Sequence, residues 1–392
     1  MNGPRNCCAW SATRPRAPSV ESWRVTSEQP RARHLTKRRL MPPASVFRVA
    51  TRTPHDVSGL AKLLDSGACQ AGDVLAAIGK TEGNGGSNDF TKEFAIASIE
   101  AELGRRGART DHVFFIMSGG CEGVMSPHVT YLVRATVATG LTLGVARAAR
   151  QPPQDLGRMA QVHTVADLVS RAQHDAGIGR SSDVHLVQVK CPTLSPIEIG
   201  TARARGEQVV TDDPARSAAF SRGAAALGVA IALGEVEEAA ISDASILEDW
   251  TRYTRVGCVS SEIGTDWHEV MVIGQAADGD RYRLGHGVLE DALDADSARR
   301  VLAAAGLEAG AQASYRLAAL LAKSEPDPRG SVRGWRHTML SDADVGAFRH
   351  ARATVSAVLA SVCGDPGIYV SGGAEHQGPL GGGTLTVIAE RQ

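Results

Sequence analysis

The chain has 392 residues, of which 43% are hydrophobic and 4% aromatic, and its formal net charge at pH 7 is −1. This length allows two or three ordinary domains, or one larger body built from repeats, with an aliphatic core. The near-zero charge provides no basic field for nucleic acid, and no apolar run is long enough to cross a membrane, so neither partner is expected.

Residues 1–40 differ from the rest, with nine Arg or Lys against two Glu. They contain no continuous apolar stretch of the kind a secretory signal needs, although an Arg-rich segment is compatible with a transit peptide. We expect a disordered tail, or a start codon assigned too early, because a well-patterned region opens at Met41. Seven scattered cysteines without a C-x-x-C pair predict reduced thiols in a cytoplasmic protein.

One pattern recurs three times at long spacing: a strand ending in Lys, a helix carrying a basic residue, and a strand leading to Ser. The first unit (41–150) has the strand Val74–Lys80, a helix over about Asp89–Leu103, and the strand Val113–Met117 before Ser118. The second (151–275) has Val184–Lys190, a helix over about Ala218–Leu233, and Val256–Val259 before Ser260. The third (276–392) has Leu317–Lys323, a helix over about Ala347–Val362, and Gly367–Val370 before Ser371.

The helices add a further match between the units. Each carries a basic residue twelve positions before a Gly predicted to end the helix; the pairs are Lys92 with Gly104, Arg222 with Gly234, and Arg352 with Gly364. The common offset selects Arg352 over the nearby Arg349.

These repeats predict an α/β fold in which three units, each a small sheet with helices, surround a pseudo-threefold axis. Strand ends deliver side chains to ligands, so we expect the active site at the centre. Three lysines, three further cations and three serines suit a small, flat, carbonyl-rich ring, whereas an apolar ligand would gain nothing from them.

The chemistry follows from the residue types. Gly beside Ser, in Ser118-Gly119 and Ser371-Gly372, lets backbone amides approach a developing oxyanion, although one copy alone would be an ordinary strand-to-turn transition. A lysine desolvated at the end of an apolar strand can act as the base of a Ser–Lys pair. The alternative, a lysine that extends its amine to solvent, fits a single copy better than three in register.

Several cofactor motifs fail on spacing. Val74 stands where a phosphate-binding loop ending at Gly79-Lys80 needs its first Gly, and Asn88 replaces the third Gly of a dinucleotide fingerprint. His268-Glu269 does not continue to a second zinc-binding His, because Val272 occupies that place. We therefore expect no organic cofactor.

The Gly-rich stretch from Ser371 to Gly383 predicts a tightly wound loop with exposed carbonyls. Such carbonyls, together with the carboxylate of Glu325, suit Mg²⁺ or Ca²⁺. A C-terminal turn without an ion explains the composition equally well, so both interpretations stay open.

The residues also resemble the cyanuric acid hydrolase and barbiturase family over roughly Val46 to Ala389. The matching motifs are Gly79–Gly85 with Asn88–Phe90, Met117–Gly120 with Ser126–His128, Val187–Pro192, Arg336–Leu340, and Ser371–Pro379. The resemblance implies a threefold α/β fold peculiar to this family, a central site with three Ser–Lys pairs, a structural divalent metal near the C-terminal Gly loop, and commonly a homotetramer.

In the family the middle pair is usually assigned the chemistry, which makes Ser260 the predicted nucleophile and Lys190 its base. The remaining site residues are predicted to bind the substrate: Lys80, Lys92, Ser118, Gly119, Arg222, Ser261, Lys323, Arg352, Ser371, Gly372 and Arg52. The predicted metal ligands are Glu325, Ala374, Gln377, Gly378 and Pro379.

Two residues depart from the family pattern. Lys92 stands where the family usually has Arg, and Glu262 stands where it has Gly after the second serine. The second departure leaves open whether Ser260 or Ser261 attacks, although alignment of Val259 with Met117 and Val370 favours Ser260.

The stretches Lys190–Pro192, Arg336–Met339 and Ser371–Glu375 resemble the cyanuric acid branch. The implied reaction is hydrolytic opening of a cyclic imide, cyanuric acid, to carboxybiuret, which then loses CO₂ to give biuret. The alternatives are a barbiturase, which opens barbituric acid to ureidomalonate, and a degenerate homologue that binds a cyclic imide without turnover.

Overall fold

Strands and helices alternate along residues 43–86 and 89–391, which are the residues that the computed structural model describes. The predicted basic tail (1–40) lies outside the described residues, as does Asn88 in the first Gly-rich loop. Within the described ranges, no helix is both long and apolar enough to cross a membrane.

The described strands form three four-stranded sheets and one short hairpin. The first sheet contains β1 (Ala44–Ala50), β2 (Val74–Thr81), β3 (Phe114–Gly119) and β4 (His128–Arg134). The second contains β5 (Leu141–Ala149), β6 (Val184–Pro192), β7 (Gly257–Glu262) and β8 (Trp267–Gln275). The third contains β9 (Tyr282–Leu289), β10 (Leu317–Ser324), β13 (Tyr369–Gly372) and β14 (Gly383–Glu390), while β11 (Ser331–Val332) and β12 (Trp335–Arg336) pair as the hairpin.

All three sheets have the same topology. Taken in chain order within each sheet, the strands lie as first, fourth, second, third: β1-β4-β2-β3, β5-β8-β6-β7 and β9-β14-β10-β13. In every sheet the second and third strands are parallel and the other neighbours antiparallel. The three sheets therefore share strand order and direction, and we call the segments that build them the first, second and third units.

The boundary between the first two units differs from the predicted one at 150/151. Strand β5 pairs along its whole length with β8 of the second sheet, from Leu141↔Gln275 to Ala149↔Trp267. The second unit thus begins after β4, between Arg134 and Leu141. No Lys, Ser or helix marker distinguishes β5 in the sequence, so its sheet membership depends on pairing that spacing alone does not reveal.

Helices flank the strands in each unit: α1 (Ser58–Asp65) and α2 (Thr91–Arg105) in the first, α3 (Met159–Asp175), α4 (Pro196–Ala204) and α5 (Pro214–Ala232) in the second, and α6 (Ala295–Ala304) and α7 (Ala347–Cys363) in the third. Helix α5 begins earlier than predicted because Asp213 caps it, accepting a 2.9 Å hydrogen bond from Ala215 N, and Pro214 suits the first turn.

The predicted glycine stops are confirmed for two helices and wrong for one. Gly234 and Gly364 follow the last turns of α5 and α7 with φ of 75° and 71°, a left-handed conformation that glycine adopts without strain. Gly104 instead lies inside α2, which continues to Arg105, and the left-handed glycine is Gly107 with φ of 78°.

Strand alternation divides the core into layers. In β2, Ala76 and Ile78 belong to a cluster that also contains residues of the other two sheets, whereas Ala77 packs with the helices of its own unit. The same alternation places Leu186 of β6 and Leu321 of β10 in the shared cluster. Each sheet therefore buries one face against its helices and the other against a core common to all three units.

Candidate active site

The six predicted Lys and Ser residues lie on the sheet faces that line the shared core. Each lysine follows a member of the shared cluster by an even number of residues: Lys80 follows Ile78, Lys190 follows Leu186, and Lys323 follows Leu321. Residues an even number of positions apart on a strand lie on the same face. Ser118, Ser260 and Ser371 each stand two residues after a member of the same cluster: Ile116, Cys258 and Tyr369.

Each lysine stands opposite its serine in the parallel ladder. The register pairs Lys80 with Ser118 between β2 and β3, Lys190 with Ser260 between β6 and β7, and Lys323 with Ser371 between β10 and β13. The structure therefore places the members of each predicted pair side by side on adjacent strands, and the side chains are in contact in the first and third pairs.

The first and third pairs also contact each other. Lys80 Nζ lies 2.9 Å from Ser118 Oγ, Lys323 Nζ lies 3.5 Å from Ser371 Oγ, and the two serine oxygens are 3.4 Å apart. Lys323 Nζ further donates to the carbonyl oxygen of Val259 at 3.0 Å, next to Ser260. A single cluster therefore contains groups from all three units.

Burial lowers the pKa of two of these lysines. Lys80 and Lys323 are fully buried. Burial, reinforced by the positive charge of Arg352, lowers the pKa of Lys80 to about 7. Burial likewise lowers the pKa of Lys323 to about 8, with Arg222 acting in the same direction. Near neutral pH an amine of this kind can exchange a proton with a neighbouring hydroxyl.

The second pair has a different environment. Lys190 Nζ lies 2.9 Å from Oε2 of Glu262, and the two side chains are 19% and 26% exposed. Ser261 points the other way, donating to the Ala218 carbonyl of α5 at 3.2 Å and accepting from Arg222 at 3.1 Å. The hydroxyl of Ser261 thus lies against α5, whereas Ser260 keeps the strand face of the cluster.

The basic residues of the three helices each form an ion pair with the next unit. Lys92 Nζ lies 3.4 Å from Glu262 in the second unit. Arg222 pairs with Glu375 in the third unit through two guanidinium nitrogens, at 2.7 and 2.5 Å. Arg352 pairs with Glu122 in the first unit in the same bidentate way, at 2.8 and 2.6 Å. The three inter-unit ion pairs therefore run cyclically, from first to second, second to third and third to first.

At the two arginine pairs, the attraction between opposite charges outweighs the effect of burial on the pKa values. Burial alone would raise the pKa of Glu122, but its hydrogen bonds and attraction to Arg352 lower it. Burial opposes the charged forms of Glu375 and Arg222 as well, yet their mutual attraction lowers the pKa of the carboxyl and raises that of the guanidinium. Both pairs are therefore ionised close to the serine loops.

Glycines allow loops to approach the first serine closely. Gly119 follows Ser118, and a Cβ at that position would overlap the carboxylate of Asp89. Asp89 in turn accepts hydrogen bonds from the amides of Gly85 (2.7 Å) and Thr91 (3.1 Å), which fixes the Gly-rich loop before α2. Gly372 is similarly close to the guanidinium of Arg352, 3.2 Å from the position of its missing Cβ.

Arg52 is the one predicted substrate-binding residue that the described contacts do not connect to the cluster. Its side chain is 84% exposed and pairs with Asp56 on the same surface, Nε to Oδ2 at 3.0 Å.

The predicted metal residues surround the C-terminal Gly loop. Glu325 accepts a 2.9 Å hydrogen bond from Ala374 N, and burial, reinforced by the nearby charge of Glu375, raises the pKa of Glu325 to about 8. A buried carboxylate so disfavoured when charged is suited to a cation, which would neutralise it. The side chain of Gln377 is committed elsewhere, to Val259 N at 2.7 Å and Gly373 O at 3.0 Å, so only its backbone oxygen is free to serve as a ligand.

Glu122, Glu375 and Tyr369 are site residues that the sequence analysis missed. A signal for the glutamates exists, since Ser-Gly-Gly-x-Glu occurs at both Ser118 and Ser371. Tyr369 lies two residues before Ser371 and is buried, and its hydroxyl lies close to the hydroxyls of Ser371, Ser118 and Ser260.

The fold is mixed α/β, and comparison with known proteins places the chain among hydrolases and identifies its family. The chain belongs to the ring-opening amidohydrolases: the family model described as "Amidohydrolase ring-opening protein (Amido_AtzD_TrzD)" matches residues 45–390.

Similar proteins carry one consistent description. A cyanuric acid amidohydrolase of Azorhizobium caulinodans is 47% identical over 358 residues, covering 90% of this chain and 99% of the relative. That of Pseudomonas sp. strain ADP is 44% identical over 357 residues, covering 88% and 98%. A solved cyanuric acid hydrolase, described as an evolutionary innovation by structural concatenation, superposes with a TM-score of 0.84 at 43% identity, covering 90% of this chain and all of that one. The A. caulinodans structure gives 0.83 at 47% identity, with the same coverage.

Proposed function

We propose that this protein hydrolyses cyanuric acid, opening the ring at the centre formed by the three Lys–Ser pairs. The observation that carries the proposal is the common register, in which Lys80, Lys190 and Lys323 each stand opposite a serine. Cyanuric acid presents three equivalent carbonyls, so one Lys–Ser pair is available for each of them. The names of relatives at 43–47% identity support the same substrate.

The pseudo-threefold arrangement belongs to this proposal. Identical strand order in three sheets, a shared core and three cyclic ion pairs support an axis through the cluster. The description of a similar solved structure as the product of structural concatenation agrees with it.

In the proposed reaction, Ser260 Oγ attacks one ring carbonyl and Lys190 Nζ accepts the hydroxyl proton. Breaking the adjacent C–N bond opens the ring, and Lys190 returns the proton to the leaving nitrogen, which remains part of the opened substrate. Water then adds to the Ser260 ester, releasing carboxybiuret, which loses CO₂ to give biuret. Lys80 and Lys323, with their serines, hold the other two carbonyls through charge-assisted hydrogen bonds, so the outer pairs position the ring.

We also propose a structural Mg²⁺ or Ca²⁺ at the C-terminal loop, held by Glu325 and by carbonyl oxygens of Ala374, Gln377, Gly378 and Pro379. The raised pKa of Glu325, about 8, supports a cation there, because the bound ion would supply the missing counter-charge. This loop follows Ser371, so the ion would fix the third serine rather than take part in the reaction.

A homotetramer is proposed as the assembly. Large exposed apolar side chains support contacts between subunits, since Trp335 is 81% and Tyr315 is 87% exposed. Light scattering on the purified protein measures the mass directly, and a monomer would overturn this part.

A paired turnover assay with cyanuric acid and barbituric acid tests the function. We expect wild type to consume cyanuric acid, and Ser260→Ala and Lys190→Ala to lose about 10³-fold or more in kcat while remaining folded. Lys62→Ala is the matched control for Lys190→Ala, because Lys62 is exposed on α1 and belongs to none of the predicted site residues. Turnover of barbituric acid alone would assign the other ring, and turnover of neither by folded protein would overturn the proposal.

A further inference from the structure

Each inter-unit ion pair contains a glutamate that follows the serine of its unit, and in the second unit this glutamate occupies a different position relative to the serine. In the first and third units it stands four residues after the serine, at Glu122 and Glu375. The corresponding position after Ser260 is Gly264, which is exposed and has φ of 79°. The carboxylate is found instead at Glu262, two residues after the serine and still on β7.

The displaced carboxylate makes a contact that its counterparts do not make. Among the described residues, Glu122 and Glu375 form ion pairs with arginines only. Glu262 forms two ion pairs, through Oε1 to Lys92 Nζ at 3.4 Å and through Oε2 to Lys190 Nζ at 2.9 Å. It therefore connects α2 of the first unit to the Lys–Ser pair of the second.

The compact ammonium of Lys92 fits this bridge. An arginine at position 92 would offer a planar fork that engages both carboxylate oxygens, as Arg222 and Arg352 do with their partners. A lysine takes one oxygen and leaves the other for Lys190. The two residues that differ from their counterparts in the other units, Lys92 and Glu262, thus form one contact.

We propose that Glu262 is a positioning residue that holds the amine of Lys190, and that Lys92 competes with Lys190 for the carboxylate of Glu262. This rests on the proposed function, in which Lys190 accepts the proton of Ser260. The carboxylate of Glu262 lies 2.9 Å from that amine, so it restrains the amine and places a negative charge beside it. We therefore expect the pH dependence of turnover to change when the charge of Glu262 is removed.

Other charged groups face this bridge from three elements. Glu93 on α2 lies beside Glu262, and burial raises the pKa of Glu93. Glu269 on β8 stands opposite Lys190 in the ladder and pairs with Arg147 of β5. Burial alone would raise the pKa of Glu262, but the charges of Lys190 and Lys92 lower it. The two lysines therefore favour the charged form of Glu262, and Glu262 in turn adds to the rise in the pKa of Glu93, so Glu262→Gln should lower the pKa of Glu93 as well.

The test measures kcat/KM for cyanuric acid against pH in four variants. Glu262→Gln removes the charge, and we expect the acidic limb to move about one pH unit lower, with KM changed less than about threefold. Lys92→Gln removes the competing cation, and the limb should move higher. Glu262→Asp keeps the charge but shortens the side chain, and the limb should move less than in Glu262→Gln. Glu238→Gln, which alters an exposed pair with His163, is the control.

The outcomes separate positioning from structural support. If Glu262 only joined the units, Lys92→Gln would move the limb in the same direction as Glu262→Gln, because both break the same contact. That result would overturn the inference, as would an unmoved limb in Glu262→Gln.

A second readout does not depend on turnover. The chain has six lysines, so ε-¹³C-lysine NMR gives few signals and Lys190→Arg assigns one of them. The titration midpoint of that signal should fall in Glu262→Gln and rise in Lys92→Gln. Opposite shifts in a protein that does not consume cyanuric acid would refute the proposed function alone, whereas unchanged midpoints would refute this inference.

Discussion

The two kinds of inter-unit ion pair should differ sharply in their contribution to stability. Arg352 and Glu122 are 6% and 9% exposed and bidentate, whereas Lys92 and Glu262 are 18% and 26% exposed and share one 3.4 Å contact. Removing one partner of a buried pair leaves the other charge uncompensated and costs about 3 kcal/mol or more. A partly exposed single contact contributes about 1 kcal/mol or less.

Urea unfolding of Glu122→Gln and Lys92→Gln, followed by far-ultraviolet circular dichroism, tests this difference. With a slope of about 3 kcal/mol/M for a chain of this size, the midpoint should fall by about 1 M in Glu122→Gln and by about 0.3 M or less in Lys92→Gln. Glu390→Gln, which breaks an exposed pair with Arg281, should leave it unchanged. Equal shifts in the first two variants, or a larger one in Lys92→Gln, would refute the reasoning from burial.

Three further predictions concern single side chains. The added methyl group of Gly119→Ala would overlap Asp89 and displace the loop beside Ser118, so kcat in a steady-state assay should fall about a hundredfold. Gly72→Ala, which has open space at its Cβ, should match wild type. Equal activity of the two variants would contradict the close approach of Gly119 to Asp89. Burial lowers the pKa of Lys80 from 10.5 to about 7, so folded Lys80 binds fewer protons than unfolded Lys80 between those values, and its contribution to the free energy of unfolding rises with pH across that window. Lys80→Met should therefore flatten this rise in urea titrations from pH 6 to 10, and an unchanged slope would contradict it. In calorimetry, Mg²⁺ or Ca²⁺ at a hundredfold excess over Kd should stabilise the wild type by about 2.7 kcal/mol and so raise its melting temperature. Glu325→Gln should abolish this increase, and an increase that persists in the variant would place the ion elsewhere.

Local patterns predicted the parts of this molecule that depend on local physics. The strands ending at Lys80, Lys190 and Lys323 are short apolar runs that a buried sheet requires, and each is a strand in the structure. Helix α7 was predicted within one residue at its C-terminus, since Gly364 adopts the left-handed conformation that ends it.

Long-range pairing explains what the sequence analysis missed. Strand β5 lies next to β4 in sequence but pairs with β8, more than a hundred residues later. The partners Arg222–Glu375 and Arg352–Glu122 are 153 and 230 residues apart, so no spacing rule connects them. Gly104 failed as a helix stop because a glycine within a helix costs only about 1 kcal/mol, which the packing of the buried Leu103 can offset.

The most direct test of the central claim is the site at which the opened ring becomes attached to the protein. Cyanuric acid is mixed with enzyme, the reaction is quenched in acid within milliseconds, and peptides are analysed by mass spectrometry. Ring opening loses no atoms, so we expect one peptide heavier by the whole mass of cyanuric acid, modified at Ser260 and unmodified in Ser260→Ala. An adduct at Ser118 or Ser371 instead, or turnover without any adduct in Ser260→Ala, would contradict the assignment of the second pair as the reacting one.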